Sequence, residues 1–121
     1  MIESSKKNRK IKLYNNIYFS PLYIRTLAKY VKKICDKFHG GIYNVGSRDS
    51  ITKSDFIKKI DKYLNLNLKY IESNYNYSKT DLVAKRPLNM SMNTKKFEKK
   101  YKIKLPNIKN EIIKLKKDVR I

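Results

Sequence analysis

At 121 residues the chain is one domain or part of one, and a hydrophobic content of 40% suits a modest core and excludes a wholly disordered polymer. No apolar stretch reaches membrane-spanning length, and Met1-Ile2-Glu3-Ser4-Ser5-Lys6-Lys7 has no apolar run behind its lysines, so neither a transmembrane helix nor a secretory signal is expected. The net charge of +20 invites a nucleic-acid reading, but arginine is confined to Arg9, Arg25, Arg48, Arg86 and Arg120, and the lysines run along the whole chain rather than in one stripe. Lysine, asparagine, isoleucine and tyrosine are over-used together, as A/T-rich coding would dictate. Nonspecific attraction to polyanions is expected, and a specific nucleic-acid partner is not.

Residues 1–9 read as the end of a helix. Ile11-Lys12-Leu13-Tyr14 alternates like a short strand, and Asn15-Asn16 is a turn signal. Ser20 before Pro21 reads as a capped helix start. Ile24, Leu27, Ala28, Val31, Ile34, Cys35 and Phe38 then recur at helical spacing as a buried face, with Cys35 a small core residue. Gly40-Gly41 stops this helix, Ile42-Tyr43-Asn44-Val45 is a compact strand, and Gly46-Ser47 turns out of it. Thr52 to Asp55 resembles a capping box for a second helix, whose apolar face is Phe56, Ile57, Ile60 and Leu64. Leu68 to Ile71 is a strand, residues 72–84 a loop, and Asn89 to Met92 a short extended piece. Asn93 caps a third helix to about Lys100. Pro106 begins a fourth, with Ile108, Ile112, Ile113 and Leu115 inward. Alternating helices and strands put the chain in the α/β or α+β class.

Catalytic constellations are sparse. Three glycines, Gly40, Gly41 and Gly46, make no strand–glycine–helix turn of the kind that cradles a dinucleotide pyrophosphate. Tyr75 and Lys79 have the four-residue spacing of a tyrosine–lysine proton donor, but roughly two chance matches are expected in so tyrosine- and lysine-rich a chain. They also lie in the polar loop, so no catalytic role is assigned. His39, at a helix end, reads as solvated or capping, no Cys/His cluster could bind zinc, and Asp55 and Asp61 read as surface ion pairs.

Three signatures in fixed order carry more information. They are Ser20-Pro21-Leu22-Tyr23-Ile24-Arg25-Thr26-Leu27-Ala28, Gly41-Ile42-Tyr43-Asn44-Val45-Gly46-Ser47 and Ala84-Lys85-Arg86-Pro87-Leu88-Asn89. From about Ile11 to Leu115 the chain resembles roughly the last two fifths of the dTDP-4-dehydrorhamnose reductases, extended short-chain reductases that act on nucleotide sugars. Leu22 and Thr26 depart from that pattern, which often has threonine and aspartate there. The resemblance implies late strands of a nucleotide-binding sheet within residues 1–50, and a small substrate-binding domain over residues 51–121. It implies nucleotide-sugar contacts from Arg86, Lys85, Tyr23, Ser20 and Asn44. Arg86 leads, because a planar guanidinium fork suits diphosphate oxygens.

The same resemblance implies NADPH or NADH for a complete enzyme, in a cytoplasmic setting. This chain is expected to bind no cofactor by itself, to carry no catalytic residue and to be inactive alone. A separate N-terminal nucleotide-binding half, or further copies of the chain, are its implied partners. Two other readings stay open: a non-catalytic binding or regulatory subunit of the same fold, and a small basic nucleic-acid binder.

Overall fold

A computed structural model of the chain describes residues 10–76 and 87–118. The expected helical stretch over residues 1–9, together with Lys79, Lys85 and Arg86, lies outside the described residues. Within them the order is β1 (Ile11–Tyr14), β2 (Tyr18–Phe19), α1 (Ile24–Asp36), β3 (Ile51–Thr52), α2 (Lys53–Leu64), β4 (Tyr70–Ser73), β5 (Asn89–Met90), α3 (Lys95–Tyr101) and α4 (Ile108–Asp118). The fold is mixed α/β, the class expected. No helix among the described residues is long and apolar enough to cross a membrane.

The chain forms two compact bodies, each assembled from separate stretches. Residues 10–19, 51–76 and 87–90 make one, and residues 20–50 and 91–118 the other. In the first body β1 pairs in parallel with β4, Ile11 opposite Tyr70 and Leu13 opposite Glu72. β2 lies between β3, antiparallel, and β5, parallel. The fourth strand runs two residues later than the Leu68–Ile71 expectation. Leu68 instead turns inward with Leu66, while Asn65 and Asn67 adopt left-handed backbone between them, φ 52° and 51°. Asparagine tolerates that region better than most residues. Leu13, Ile17, Ile51, Ile60, Leu64, Leu66 and Leu68 are the buried apolar side chains of this body.

The start of α2 follows the sequence closely. The Thr52 side chain accepts the Asp55 amide at 3.0 Å, and its hydroxyl donates to the Asp55 carboxylate at 2.8 Å. Asp55 and Asp61 are therefore not the surface ion pairs expected. Asp55 belongs to the cap, and the Asp61 carboxylate accepts the Leu68 amide at 3.1 Å, fixing the chain after the helix.

In the second body Phe97, Leu105, Ile108 and Ile112 are buried, and the Phe97 ring meets Tyr30, Tyr43 and Tyr101 at centroid distances of 4.8–6.3 Å. Here α1 departs from expectation. It begins at Ile24 rather than Pro21, with Tyr23 at its N-cap and no side-chain cap. Ser20 cannot cap it, because its hydroxyl is turned to the Met92 amide. The helix presents Tyr30 to the Phe97 ring and the buried Thr26 to Lys114 of α4. At about 100° per residue Ile24, Ala28, Val31 and Cys35 lie roughly 140–200° around the axis from Thr26, so they are exposed and Cys35 is no core residue. Leu27 and Ile34 are half-buried, and Phe38 is exposed.

Ile42–Val45 is not a strand: it has no ladder partner among the described residues. Ile113 is exposed, and Glu111 takes the inward place on α4. The third helix is capped one residue later than expected, at Thr94, although the Asn93 side chain still accepts the Lys95 amide at 3.1 Å.

In the first body the Glu72 carboxylate is ion-paired with Lys58 and accepts the Ser54 hydroxyl at 2.5 Å. The Lys58 contact first, and Ser54 second, hold this carboxyl below the usual carboxylate range, and the same pair raises the Lys58 ammonium. A depressed carboxyl contributes stability that is complete above its unfolded pKa, about 4.3, and lost as pH falls through the lower folded value. The raised ammonium contributes below its unfolded pKa, about 10.4, and loses its contribution as pH climbs through the folded value. Thermal unfolding followed against pH should therefore show a steeper acid limb for the native chain than for Glu72→Gln. The two curves should converge at the acid extreme.

Candidate functional site

Of the five residues that sequence reasoning places at a substrate site, Ser20, Tyr23 and Asn44 belong to the second body, and Lys85 and Arg86 lie outside the described residues. Ser20 and Asn44 converge on one segment. The buried Ser20 hydroxyl accepts the Met92 amide at 3.2 Å, and the Asn44 amide nitrogen reaches the Asn93 carbonyl at 3.4 Å. The Lys96 ammonium adds a third tie, donating to the Ile42 carbonyl at 3.1 Å and sitting 5.2 Å above the Tyr43 ring.

The glycine turn explains how these segments come so close. A methyl group on Gly46 would stand 2.9 Å from the Ser20 carbonyl oxygen and 3.1 Å from the Met92 sulfur. Only a residue without a Cβ lets the backbone pass there. Beyond it, the fully buried Ser47 hydroxyl donates to the Asp49 carbonyl at 2.8 Å, and the Arg48 amide donates to the Pro106 carbonyl at 3.0 Å. The Asp49 carboxylate accepts the Ile108 amide, 2.9 Å, at the first residue of α4. The turn is thus held at both ends, and Asn44 projects from its exposed side.

Tyr23 is placed differently. Its amide donates to the buried Glu111 carboxylate at 3.0 Å, and its hydroxyl donates to Asp118, which also pairs with Arg25 at 3.3 Å. The hydrogen bond to Asp118, with some desolvation, raises the phenol pKa, so the hydroxyl stays protonated well into the alkaline range. Glu111 further accepts Lys114 at 2.7 Å, and that ammonium also reaches the Thr26 hydroxyl at 3.1 Å. Tyr23 therefore sits on an open groove with Thr26, Lys29, Lys114 and Lys117, tied to α4 rather than to the Ser20–Asn44 cluster.

The weaker candidates remain apart from both. Tyr75 is clipped by Asn16, whose side chain accepts its amide at 2.8 Å and donates to its carbonyl at 3.0 Å. Its ring packs edge-on against Tyr14. His39 is exposed against the Tyr101 ring. Among the described residues no three His, Cys, Asp or Glu side chains are grouped to hold a metal ion.

Sequence reasoning read Gly46 as a turn and Asn93 as a helix cap, and placed neither of them, nor Met92 or Glu111, at a site. Met92 and Asn93 contribute backbone groups, which residue type does not reveal. Glu111 carried a signal, since it falls on the stripe 108–111–112–115 where only apolar residues are otherwise found.

The sequence model of the family described as RmlD substrate binding domain matches residues 1–121, the entire chain. The chain belongs to that family. Its fold matches a solved dTDP-4-dehydrorhamnose reductase from Bacillus anthracis in complex with NADP, at TM-score 0.85 and 19% identity, over 98% of this chain and 41% of that one. A second match is a dTDP-4-dehydrorhamnose reductase from Clostridium acetobutylicum, at TM-score 0.79 and 18% identity, over 96% and 40%. The chain thus spans about two fifths of the length of these solved relatives. No curated protein sequence matches it.

The Gly46 seam makes a sharp stability test. Gly46→Ala should cost about 1–3 kcal/mol, the usual range for overpacking a closed site. Gly40→Ala, where no atom stands within 4 Å of the added methyl, should stay within about 0.5 kcal/mol of the native value. Urea denaturation midpoints for the two variants check the difference.

Proposed function

We propose that the chain is the nucleotide-sugar-binding part of a dTDP-4-dehydrorhamnose reductase-like enzyme, that it acts in the cytoplasm, and that it is inactive in reduction by itself. The observation that carries this reading is the match of a substrate-binding-domain family to every residue of the chain.

Charge chemistry supports it. A nucleotide sugar presents a diphosphate, and a chain of net charge +20 surrounds any bound anion with a favourable field. Arg86 offers two parallel N–H donors to the phosphate oxygens, Lys85 adds a point charge, and Pro87 restricts the backbone beside them. Ser20 and Asn44 provide small polar groups for sugar hydroxyls. Tyr23 contributes a phenol oxygen whose proton is held on Asp118, leaving that oxygen to accept from a sugar hydroxyl.

In a complete reductase, the bound nicotinamide would supply hydride to a ketone of the sugar. The glycines of this chain do not fit such a cofactor. Gly46 is closed over by Ser20 and Met92, Gly41 lies against its own Tyr43, and Gly40 follows a helix instead of opening one. The reductive chemistry is therefore assigned to a separate nucleotide-binding half.

Isothermal titration with a dTDP-hexose tests the binding half of the reading. The native chain should bind, and Arg86→Ala should weaken binding by about 10–100-fold, the worth of a charge-assisted hydrogen bond. Arg86→Lys should restore only part of it. Equal affinity in Arg86→Ala would remove Arg86 from the site. Oxidation of NADPH by the purified chain with a dTDP-4-keto sugar would overturn the assignment of inactivity.

A further inference from the structure

The groove bordered by Tyr23 gathers positive charge from two helices of the second body. Arg25 and Thr26 each lie one turn before Lys29 on α1. Lys114 lies one turn before Lys117 and Asp118 on α4, so each set shares a helix face. Together with Tyr23 these side chains line a volume of about 330 Å³, the size of a small-ligand site.

The carboxylates at this groove are already engaged. Asp118, on the rim, takes the Tyr23 hydroxyl and pairs with Arg25 at 3.3 Å. The buried Glu111 takes the Tyr23 amide at 3.0 Å and the Lys114 ammonium at 2.7 Å. Lys29 and Lys117 have no ion-pair partner among the described residues. They reach the groove from different helices, so its uncompensated charge comes from both walls.

A buried hydroxyl sets this groove apart from a stretch of surface lysines. Thr26 borders it while only 6% exposed. Its hydroxyl accepts the Lys114 ammonium at 3.1 Å, and its own proton meets no acceptor among the described residues. A hydroxyl carries a donor as well as acceptor lone pairs, and a buried donor left over calls for an oxygen from outside the chain. A phosphate group meets both demands. It brings enough negative charge for two ammonium groups, and enough oxygens to accept from Thr26 at the same time.

We infer that the α1–α4 groove is a binding site for a phosphate group, free or carried as the ester of a small sugar. Lys29 and Lys117 hold its charge, and Thr26 donates to one of its oxygens. The site goes beyond the reading under Proposed function, which assigns the diphosphate of a nucleotide sugar to Arg86, and does not depend on it.

NMR titration of the isotope-labelled full chain at constant ionic strength tests the site. Inorganic phosphate is one probe and glucose 1-phosphate the other. The Thr26 and Lys29 amide signals should shift saturably. Lys29→Gln combined with Lys117→Gln should weaken binding by about tenfold or more. Lys99→Gln combined with Lys100→Gln removes equal charge from exposed positions of α3 and should change affinity by less than about twofold. Thr26→Val should also weaken binding, and Thr26→Ser should restore it. Saturation by inorganic phosphate supports a site for the free ion, and saturation by the ester alone supports one for a sugar phosphate. Shifts that rise without saturating overturn the proposal, as does an equal loss of affinity in the two lysine pairs, which would leave only diffuse attraction to a basic chain. A dTDP-hexose titration separates this site from that of the nucleotide sugar. Affinity lost in Arg86→Ala and kept in the Lys29–Lys117 double variant supports two sites. Affinity lost in that double variant, with inorganic phosphate competing, would merge the groove with the nucleotide-sugar site and overturn the separate one.

Discussion

Scarce carboxylates hold main-chain amides in this structure, and much of the rest hangs from them. The chain has ten acidic residues against thirty basic ones, and two of the ten, Glu3 and Asp81, lie outside the described residues. Asp49 takes the Ile108 amide, Asp61 that of Leu68, Glu98 that of Leu105 and Glu111 that of Tyr23. Asp55 completes the Thr52 cap, Glu72 joins Ser54 to Lys58, and Asp118 joins Tyr23 to Arg25. Hydrogen bonds to an ionised acceptor are about twice as strong as neutral ones. They suit loops such as 46–49 and 65–68, where regular ladders are absent. Because these seven acids are committed internally, the lysines outside these pairs leave a strongly positive surface.

Around the Ser20–Asn44 cluster, space matters as much as charge. The missing side chain of Gly46 lets the Ser20 carbonyl and the Met92 thioether close together, and this fixes the segment from which Asn93 offers its carbonyl. A polar cluster assembled from three distant stretches of chain depends on that contact for its geometry. Tyr23, only three residues from Ser20, is drawn instead to the α4 side by two carboxylates. Neighbourhood in sequence therefore did not make one site of the two.

What could be read from the sequence was local. The Thr52 cap, the run of α2 to Leu64, β1 and the buried Ile108 and Ile112 all follow from spacing and capping rules that act within a few residues. The family signatures were also legible, because motif order survives where overall identity is below 20%. The two-residue strands β2 and β3 were not, and the extended piece at Asn89–Met90 was read without its partner, since these pairings join residues some thirty to seventy positions apart and leave no periodic trace. The apolar stripe of α1 was legible as a stripe. That it points to solvent was not, because periodicity tells which face is apolar and nothing about what lies opposite.

The interleaving of the two bodies bears on how the polypeptide is made. Neither can close while its later stretch is still inside the ribosome. β1 waits for β4 and β2 for β5, while the stretch through residue 50 waits for Phe97 and for α4 with its Glu111. Nascent chains of such high contact order acquire their packing late. The isoleucine- and tyrosine-rich earlier stretches therefore stay exposed until α4 has emerged, and the heavy lysine content keeps them apart from one another until then.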